Sequence, residues 1–339
     1  MPQLIAQLRF NLLFESQDEY NCSASSVDWS TRGTERPAFG WLCILVSCMG
    51  IGPYLTCMPV LWRLSKNACY KMMFCLAILD LGVLIGNIFG GAVFIAGGMF
   101  CHAPNLFYAL SFLAVGCFFS SCCACLMIAI NRFVELFNIR LLLSMYQGNR
   151  PWLLMTIPVM YGTFAMLCTP FTQANSEAHL FLLDPMIHPA GKYEYTNYML
   201  VANNFISPAF SSSLYLIMIL KIVAKRGTMT SNDSVNRAAI MLSIQCGVIV
   251  IFHASTCLGY VGLQFYPSDF LCYAMQLSWI IMHGLPPYVY FAFNPSIRRG
   301  IIQDALPSQW MFVSNTGASS SIRHFHPSSI AHNSATTVV

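Results

Sequence analysis

Long apolar runs separated by short polar segments dominate the chain. Seven of these runs are almost free of Lys, Arg, Asp and Glu, and each is long enough to cross a bilayer, whose core of about 30 Å needs about 20 apolar residues in a helix. The pattern therefore predicts an all-α membrane protein with a bundle of seven transmembrane helices. The predicted spans lie in the ranges 37–62, 68–97, 104–131, 151–176, 195–220, 238–268 and 270–297.

The composition also indicates a membrane protein. Hydrophobic residues make up 56% of the 339 positions and charged residues only 9%, whereas soluble domains carry about 25% charged residues. A net charge of +4 without a basic-aromatic patch gives no indication of a nucleic-acid partner. The lipid bilayer is therefore the expected surrounding of most of the chain.

The 15 cysteines lie mostly within the apolar runs, where a free thiol behaves as a small buried hydrophobe. Cys122, Cys123 and Cys125 form the densest group, but on one predicted helix their side chains point in different directions. Their spacing is not that of a zinc site. We therefore expect these three residues to be ordinary packing residues.

The distribution of basic residues predicts the orientation, because Lys and Arg are enriched in cytoplasmic loops. Of the 17 basic residues, only Arg9, Arg32, Arg36 and Lys192 fall in the N-terminal segment and in the loops on its side, which also carry nine of the 13 acidic residues. The N-terminus is therefore expected outside and the C-terminus inside, in agreement with an odd number of spans.

Four segments follow from this topology. Residues 1–36 form an extracellular N-terminal segment, in which Asn21 begins a glycosylation sequon. Residues 37–297 form the bundle, and 295–305 form a short amphipathic helix on the cytoplasmic surface. The Ser- and Thr-rich tail, 306–339, is expected to be disordered and phosphorylated, which makes receptor kinases and arrestin expected partners.

Ionisable residues inside spans are rare and usually functional. Asp80 is the strongest case, because a carboxylate in the bilayer must face the bundle interior with water, an ion or a partner; an ion-binding or switch role competes there with a purely structural one. His253 and His283 are more often satisfied interior histidines than ligand contacts. The Pro286-Pro287 pair breaks helical hydrogen bonds in the last span and predicts a hinge.

Several short sequences, in their order along the chain, resemble the rhodopsin-like G protein-coupled receptors. They are Asp80 in LAILD, Asn131-Arg132-Phe133 closing span three, Trp152 opening span four, Pro208 in span five and PPYVYFAFNP closing span seven. Over residues 40 to 305 the finer sequence is similar to the nematode serpentine chemoreceptors of class T (Srt), with Srx and Srsx as related classes. This similarity is carried by CYKMMFCLAILD, GGMFCHAP, NRFVEL, YQGNRPW, FLLDP and NPSIRRG.

The resemblance implies a conformational switch at the cytoplasmic end. Arg132 matches the arginine of the Asp-Arg-Tyr motif, which holds the inactive state and then contacts the G protein. Asn131 replaces the usual acid, with Glu135 as the candidate substitute. The switch also takes in the last span, where Pro287 and Tyr290 match the Asn-Pro-x-x-Tyr motif. Pro286 stands at the Asn position of that motif, and Asn294 lies on the face of Tyr290.

The resemblance also implies a polar core and a disulfide. Asp80 matches a sodium-binding carboxylate, Ser121 completes that site, and His283 falls where span seven would contribute, although span one offers no asparagine partner. Cys101 resembles the cysteine that tethers an outer loop near span three, yet the second outer loop has no cysteine. Its candidate partners are Cys22, Cys168 and Cys272.

The implied function is that of a chemosensory receptor for a heterotrimeric G protein, in the plasma membrane and in sensory cilia. A small, uncharged ligand would bind among spans three, five, six and seven, with His253, Tyr260 and Trp279 as candidate contacts. No enzymatic activity, and no cofactor or metal besides sodium, is expected. Span six lacks the tryptophan toggle and its proline, and a seven-span channel or transporter without G-protein coupling is the alternative.

Overall fold

The computed structural model describes residues 17–24, 27–189, 191–225, 234–266 and 268–305. Residues 1–16, Arg226 with its loop and the predicted tail 306–339 lie outside the described residues. The helices that build the bundle are α1 (Pro37–Arg63), α2 (Ala68–Ala96), α3 (Pro104–Phe137), α4 (Arg150–Cys168), α5 (Tyr198–Lys225), α6 (Ser234–Phe265), α7 (Asp269–Gly284), α8 (Pro286–Phe293) and α9 (Pro295–Ala305).

The predicted all-α bundle with seven spans is confirmed. Six of the described helices, α1 to α6, are each long and apolar enough to cross a bilayer. The seventh span consists of α7 and α8 together, which are 16 and 8 residues long. The bundle lies within one compact unit that ends at Ile301. The end that carries the N-terminal segment is called the outer end below, after the predicted orientation.

The prolines explain why the seventh span is split. Pro286 and Pro287 have no backbone N–H, so two hydrogen bonds of the helical ladder are missing at this point. Leu285 between the two pieces keeps a helical backbone with φ −73° and ψ −38°, and its N–H donates to the Ile281 carbonyl at 2.8 Å. The span therefore loses hydrogen bonds without a sharp turn.

The fourth helix is shorter than the apolar run that predicts it. The run extends to residue 176, whereas the helix ends at Cys168. Pro170 accounts for the difference, since a proline lacks the N–H and disfavours helical backbone in the residue before it. The rest of the run forms strand β1 (Gln173–Asn175), which pairs antiparallel with β2 (Leu180–Leu182) in a buried hairpin.

The third helix is central and is packed closely on its neighbours. Its residues Phe112–Gly116 form a π-helical turn, an irregularity that often marks functional sites. Gly162 on α4 faces it, and a Cβ there would lie 2.1 Å from Ser120 Oγ. Only glycine allows this approach of the two helices, so α3 keeps a buried surface toward α4.

The N-terminal segment closes the outer end of the bundle together with the hairpin. Cys22 and Cys101 form a disulfide that links this segment to the start of α3. Arg32 forms an ion pair with Glu177 of the hairpin at 3.1 Å, and the Tyr20 ring stacks on Phe171 at 4.6 Å between centroids. These contacts hold the hairpin over the helices.

Candidate functional site

The polar centre of the bundle is built around Asp80, which is 2% exposed on α2. Its carboxylate has a hydrogen-bond partner on each of three other helices. Ser121 Oγ on α3 and His283 Nδ1 on α7 lie 3.0 and 2.7 Å from Oδ1, and the Tyr54 hydroxyl on α1 donates to Oδ2 at 2.6 Å. The structure thus brings Asp80, Ser121 and His283 together, as the resemblance implies.

Tyr54 is the member of this cluster that sequence reasoning missed. The first span has no asparagine that could contact Asp80, and the fully buried Tyr54 makes this contact instead. A phenol in the middle of an apolar run is a signal of its own, because a buried hydroxyl needs a hydrogen-bond partner. Asp80 is the partner that the fold supplies.

A sodium ion would need several oxygen ligands around this carboxylate. Asp80, Ser121 and Tyr54 provide such oxygens, but the His283 ring lies against Oδ1 with its nitrogen. The residues therefore fit a sodium ion only when the imidazole moves away from the carboxylate. Sodium binding at Asp80 stays a prediction on this basis.

A small cavity of about 70 Å³, called the deep cavity below, lies on the outer side of the Asp80 cluster. Its lining combines aromatic rings with a few polar side chains: Val115, Phe118, Thr172, Phe181, Leu200, Asn204, Thr256, Cys257, Tyr260 and Trp279. Three buried polar atoms of that lining have no partner among the described residues, namely Trp279 Nε1, the Tyr260 hydroxyl and Thr172 Oγ1. A bound molecule could supply the missing hydrogen bonds.

A larger cavity of about 490 Å³ continues toward the outer end. Thr172, Phe181, Leu200 and Tyr260 line both cavities, so the two adjoin. Phe181 is the hairpin residue among these four, and its ring meets the Trp279 ring edge-on at 5.1 Å. Phe181 therefore contributes both to the lining of the two cavities and to the contact with Trp279.

His253, the third candidate ligand contact, is not among the residues that line these two cavities. It precedes Cys257 by one helical turn on α6, and its side chain is 4% exposed. Its Nε2 approaches Cys122 Sγ at 3.0 Å, and Cys122, His253 and Cys257 place their ligand atoms within 4.8 Å of one another. The sequence predicts Cys122 to be a packing residue, and the i, i+4 spacing of His253 and Cys257 on α6 is the signal in the sequence that points to the cluster.

The opposite end of the bundle carries a compact polar group, Asn131, Arg132 and Glu135. Arg132 is 3% exposed and forms a 2.6 Å ion pair with Glu135. Its Nε and Nη2 donate to Asn131 Oδ1 at 3.2 and 2.6 Å, and Asn131 Nδ2 donates to Glu135 at 3.3 Å. The three side chains therefore form a closed ring on α3, with the carboxylate one turn after the arginine.

The remaining switch candidates lie on the split seventh span. Pro287 is buried just after the break, and the Tyr290 ring is 1% exposed. Asn294 has a clear structural role, because its Oδ1 accepts from the N–H groups of Ser296 and Ile297 and so begins α9. Its amide also donates to the Tyr70 hydroxyl on α2 at 3.1 Å.

The two predicted modification sites lie at the outer end. Asn21 is half-buried and follows a short 3-10 turn, where its Oδ1 accepts from the Ser23 N–H at 3.0 Å. Cys101 pairs with Cys22, the first of its three candidate partners, while Cys168 and Cys272 are free thiols. The tether of the third span thus runs to the N-terminal segment.

Comparison with known proteins agrees with this architecture. No curated protein matches the sequence at a significant level. A family model described as "Serpentine type 7TM GPCR chemoreceptor Srt" matches residues 7–311, which is most of the chain. The chain therefore belongs to the Srt family of serpentine seven-transmembrane chemoreceptors.

Proposed function

We propose that this membrane chemoreceptor binds a small, uncharged molecule in the deep cavity and activates a heterotrimeric G protein at the opposite end. The observation that carries the proposal is the lining of that cavity. Trp279 Nε1, the Tyr260 hydroxyl and Thr172 Oγ1 are buried without partners among the described residues. Buried polar groups without hydrogen bonds are costly. Because these three groups all line one cavity, they favour a ligand that forms the missing hydrogen bonds.

The cavity supports a narrow class of ligand. None of its described lining residues is charged, and aromatic rings cover much of its wall. A ligand with an apolar body and one oxygen or nitrogen acceptor would match the N–H of Trp279 and the hydroxyl of Tyr260. Ligand sites typically measure about 300 to 1,000 Å³, so such a molecule would also occupy part of the 490 Å³ outer cavity.

A continuous set of contacts supports transmission from the cavity to the polar core. Trp279 lines the cavity, and His283 lies one helical turn further along α7, with ring centroids 6.3 Å apart. His283 in turn contacts Asp80. A ligand that changes the rotamer of Trp279 therefore acts directly on a side chain bonded to the centre of the bundle, and the missing hydrogen bonds at Pro286 and Pro287 provide a place to bend.

The Asn131–Arg132–Glu135 ring supports the coupling end of the proposal. A buried arginine held by a partly exposed carboxylate can exchange that partner for another when the helices move. The G protein would then contact the exposed side of this end. The short helix α9 would belong to the same surface, because it follows the Pro286-Pro287 hinge by less than ten residues. Receptor kinases and arrestin would act on the tail, and the plasma membrane of sensory cilia is the proposed location.

The first experiment expresses the receptor with a reporter of G-protein dissociation and screens volatile and small-lipid compounds at matched surface levels. For an active compound, Tyr260→Phe is expected to lower potency about ten-fold, the effect of one lost hydrogen bond of roughly 1.4 kcal/mol. Tyr266→Phe is the matched control, since Tyr266 is 79% exposed just beyond α6. Equal potency in wild type and Tyr260→Phe would contradict the assigned cavity.

The same assay tests coupling through Arg132. Arg132→Ala is expected to change the signal, whereas Arg140→Ala, an exposed arginine eight residues later in the chain, is expected to leave it unchanged. If both variants behave like wild type, Arg132 only anchors the helix end. A ligand-evoked current that persists with G-protein signalling blocked would support the channel alternative instead.

A further inference from the structure

Three potential metal ligands converge between α3 and α6, next to the deep cavity that Cys257 lines. Cys122 comes from α3, and His253 and Cys257 come from one face of α6. All three are buried, with exposures of 0%, 4% and 1%, and their ligand atoms lie within 4.8 Å of one another. Two thiols and an imidazole are the donors that zinc binds most often.

The surroundings of Cys122 differ from those of a cysteine that only fills space. Its sulfur receives the Asn203 amide Nδ2 at 3.2 Å and faces His253 Nε2 at 3.0 Å. The Asn203 amide is itself oriented, because its Oδ1 accepts from the Tyr161 hydroxyl at 3.2 Å. A hydrogen-bond donor aimed at a sulfur stabilises the thiolate, the form that coordinates a metal.

His253 is also held in place from both sides. The Phe118 ring lies parallel to the imidazole, with centroids 6.4 Å apart, and the His283 ring meets it edge-on, with centroids 6.5 Å apart. Ring contacts on two sides limit the rotation of the imidazole. The ring is therefore oriented before any ion arrives.

We propose that Cys122, His253 and Cys257 bind one zinc ion that links α3 to α6. Binding of Zn²⁺ releases one proton from each of the two thiols to water, and the resulting complex of two thiolates, a neutral imidazole and the divalent ion has no net charge. A neutral complex suits the interior of a membrane protein, where an uncompensated charge is costly. Cu⁺ with the same ligands would leave a net charge of −1.

A zinc ion held by this cluster would lie next to the deep cavity. Three protein ligands leave the fourth position of a tetrahedral ion open, and Cys257 belongs both to the cluster and to the wall of the deep cavity. The cavity is therefore the side from which a fourth ligand would approach. On the proposed receptor function, a ligand with a sulfur or nitrogen donor atom would reach the ion from there.

The test is the metal content of the purified, full-length receptor, measured by elemental analysis. Wild type is expected to hold about one zinc ion per chain, and Cys257→Ser and Cys122→Ser are expected to lose it. Cys123→Ser is the matched control, since Cys123 is the next residue on α3 and lies outside the cluster. Zinc retained in Cys257→Ser, or copper in place of zinc in wild type, would overturn the proposal.

A second measurement needs no variant to fold. Co²⁺ replaces zinc in tetrahedral sites, and thiolate ligands give it an intense charge-transfer absorption in the near ultraviolet. Wild-type receptor that is first stripped of zinc with a chelator and then treated with Co²⁺ is expected to show this absorption, and to lose it when Zn²⁺ is added. A spectrum without thiolate absorption would overturn the proposal, and because neither measurement uses an agonist or a G protein, the proposed function would still stand.

Discussion

The Tyr54 hydroxyl donates a 2.6 Å hydrogen bond to Asp80 Oδ2 and so joins α1 to α2 in the centre of the bundle. Both side chains are almost fully buried, which makes this bond the structural replacement for the absent asparagine in α1. Through it, the first helix shares the polar core that also includes His283.

Removal of that hydroxyl should destabilise the bundle. Tyr54→Phe leaves a buried carboxyl oxygen of Asp80 without its hydrogen-bond donor, at a cost of about 1 to 3 kcal/mol. Thermal unfolding of the purified receptor would show a lower midpoint. Tyr288→Phe is the control, because the Tyr288 hydroxyl donates to the Met49 carbonyl near the bundle surface; an equal shift in both variants would contradict the special role of Tyr54.

Sodium binding should depend on the His283 ring. The imidazole lies against Asp80 Oδ1, so His283→Ala frees both the oxygen and the space that an ion requires. We expect sodium chloride to raise the unfolding temperature of His283→Ala more than that of wild type, relative to a bulky organic cation at the same ionic strength. Asp80→Asn should abolish the effect, and sodium independence of both wild type and His283→Ala would rule out this site.

Glu135 should hold the resting state of the receptor. Glu135→Gln removes the carboxylate that lies 2.6 Å from the Arg132 guanidinium, which frees the arginine to adopt another arrangement. Basal G-protein signalling is expected to rise about five-fold, the lower end of typical coupling energies. The measurement is agonist-free reporter activity at matched surface levels, and basal activity unchanged from wild type would show that the ion pair is only local.

The Cys22–Cys101 disulfide should stabilise the outer end. It closes a loop with a sequence separation of 79 residues, and cross-links of this kind contribute about 2 to 4 kcal/mol. Cys101→Ser is expected to lower the unfolding temperature, whereas Cys168→Ser should have little effect. Mass spectrometry of peptides without reduction would identify the linked pair, and a peptide joining Cys101 to Cys272 would contradict the structure.

The hairpin should loosen in acid. Burial lowers the pKa of the His179 imidazole below its usual value, and the nearby Arg36 cation lowers it further. The neutral ring stacks on Tyr273 at 4.7 Å between centroids. Its stabilisation of the folded hairpin is therefore complete above about pH 6.5, the pKa of a histidine in the unfolded chain. This stabilisation is lost as the pH falls through the lower pKa of the folded state. Hydrogen exchange of the hairpin amides should accelerate in that range in wild type.

His179→Gln provides the comparison for the pH dependence. The amide cannot gain a proton, so its exchange rates should lack the additional acceleration in acid after correction for the intrinsic rate of amide exchange. Acceleration of the same size in both proteins would assign the effect to another group.

The sequence by itself determined the number of spans, the membrane class and the family. Each of these depends on residues near one another in the chain, because an apolar run of about 20 residues is driven into the bilayer whatever surrounds it. The break in the last span was likewise readable at Pro286 and Pro287, since the loss of a backbone donor is a property of the residue itself.

Only the tertiary structure decided the contacts that give the bundle its chemistry. Tyr54, Ser121 and His283 are separated from Asp80 by 26, 41 and 203 residues, and Cys122 is 131 residues from His253. Whether such side chains meet depends on the rotation and depth of each helix. Those are set by the close packing of many side chains together, which no local run of the sequence contains.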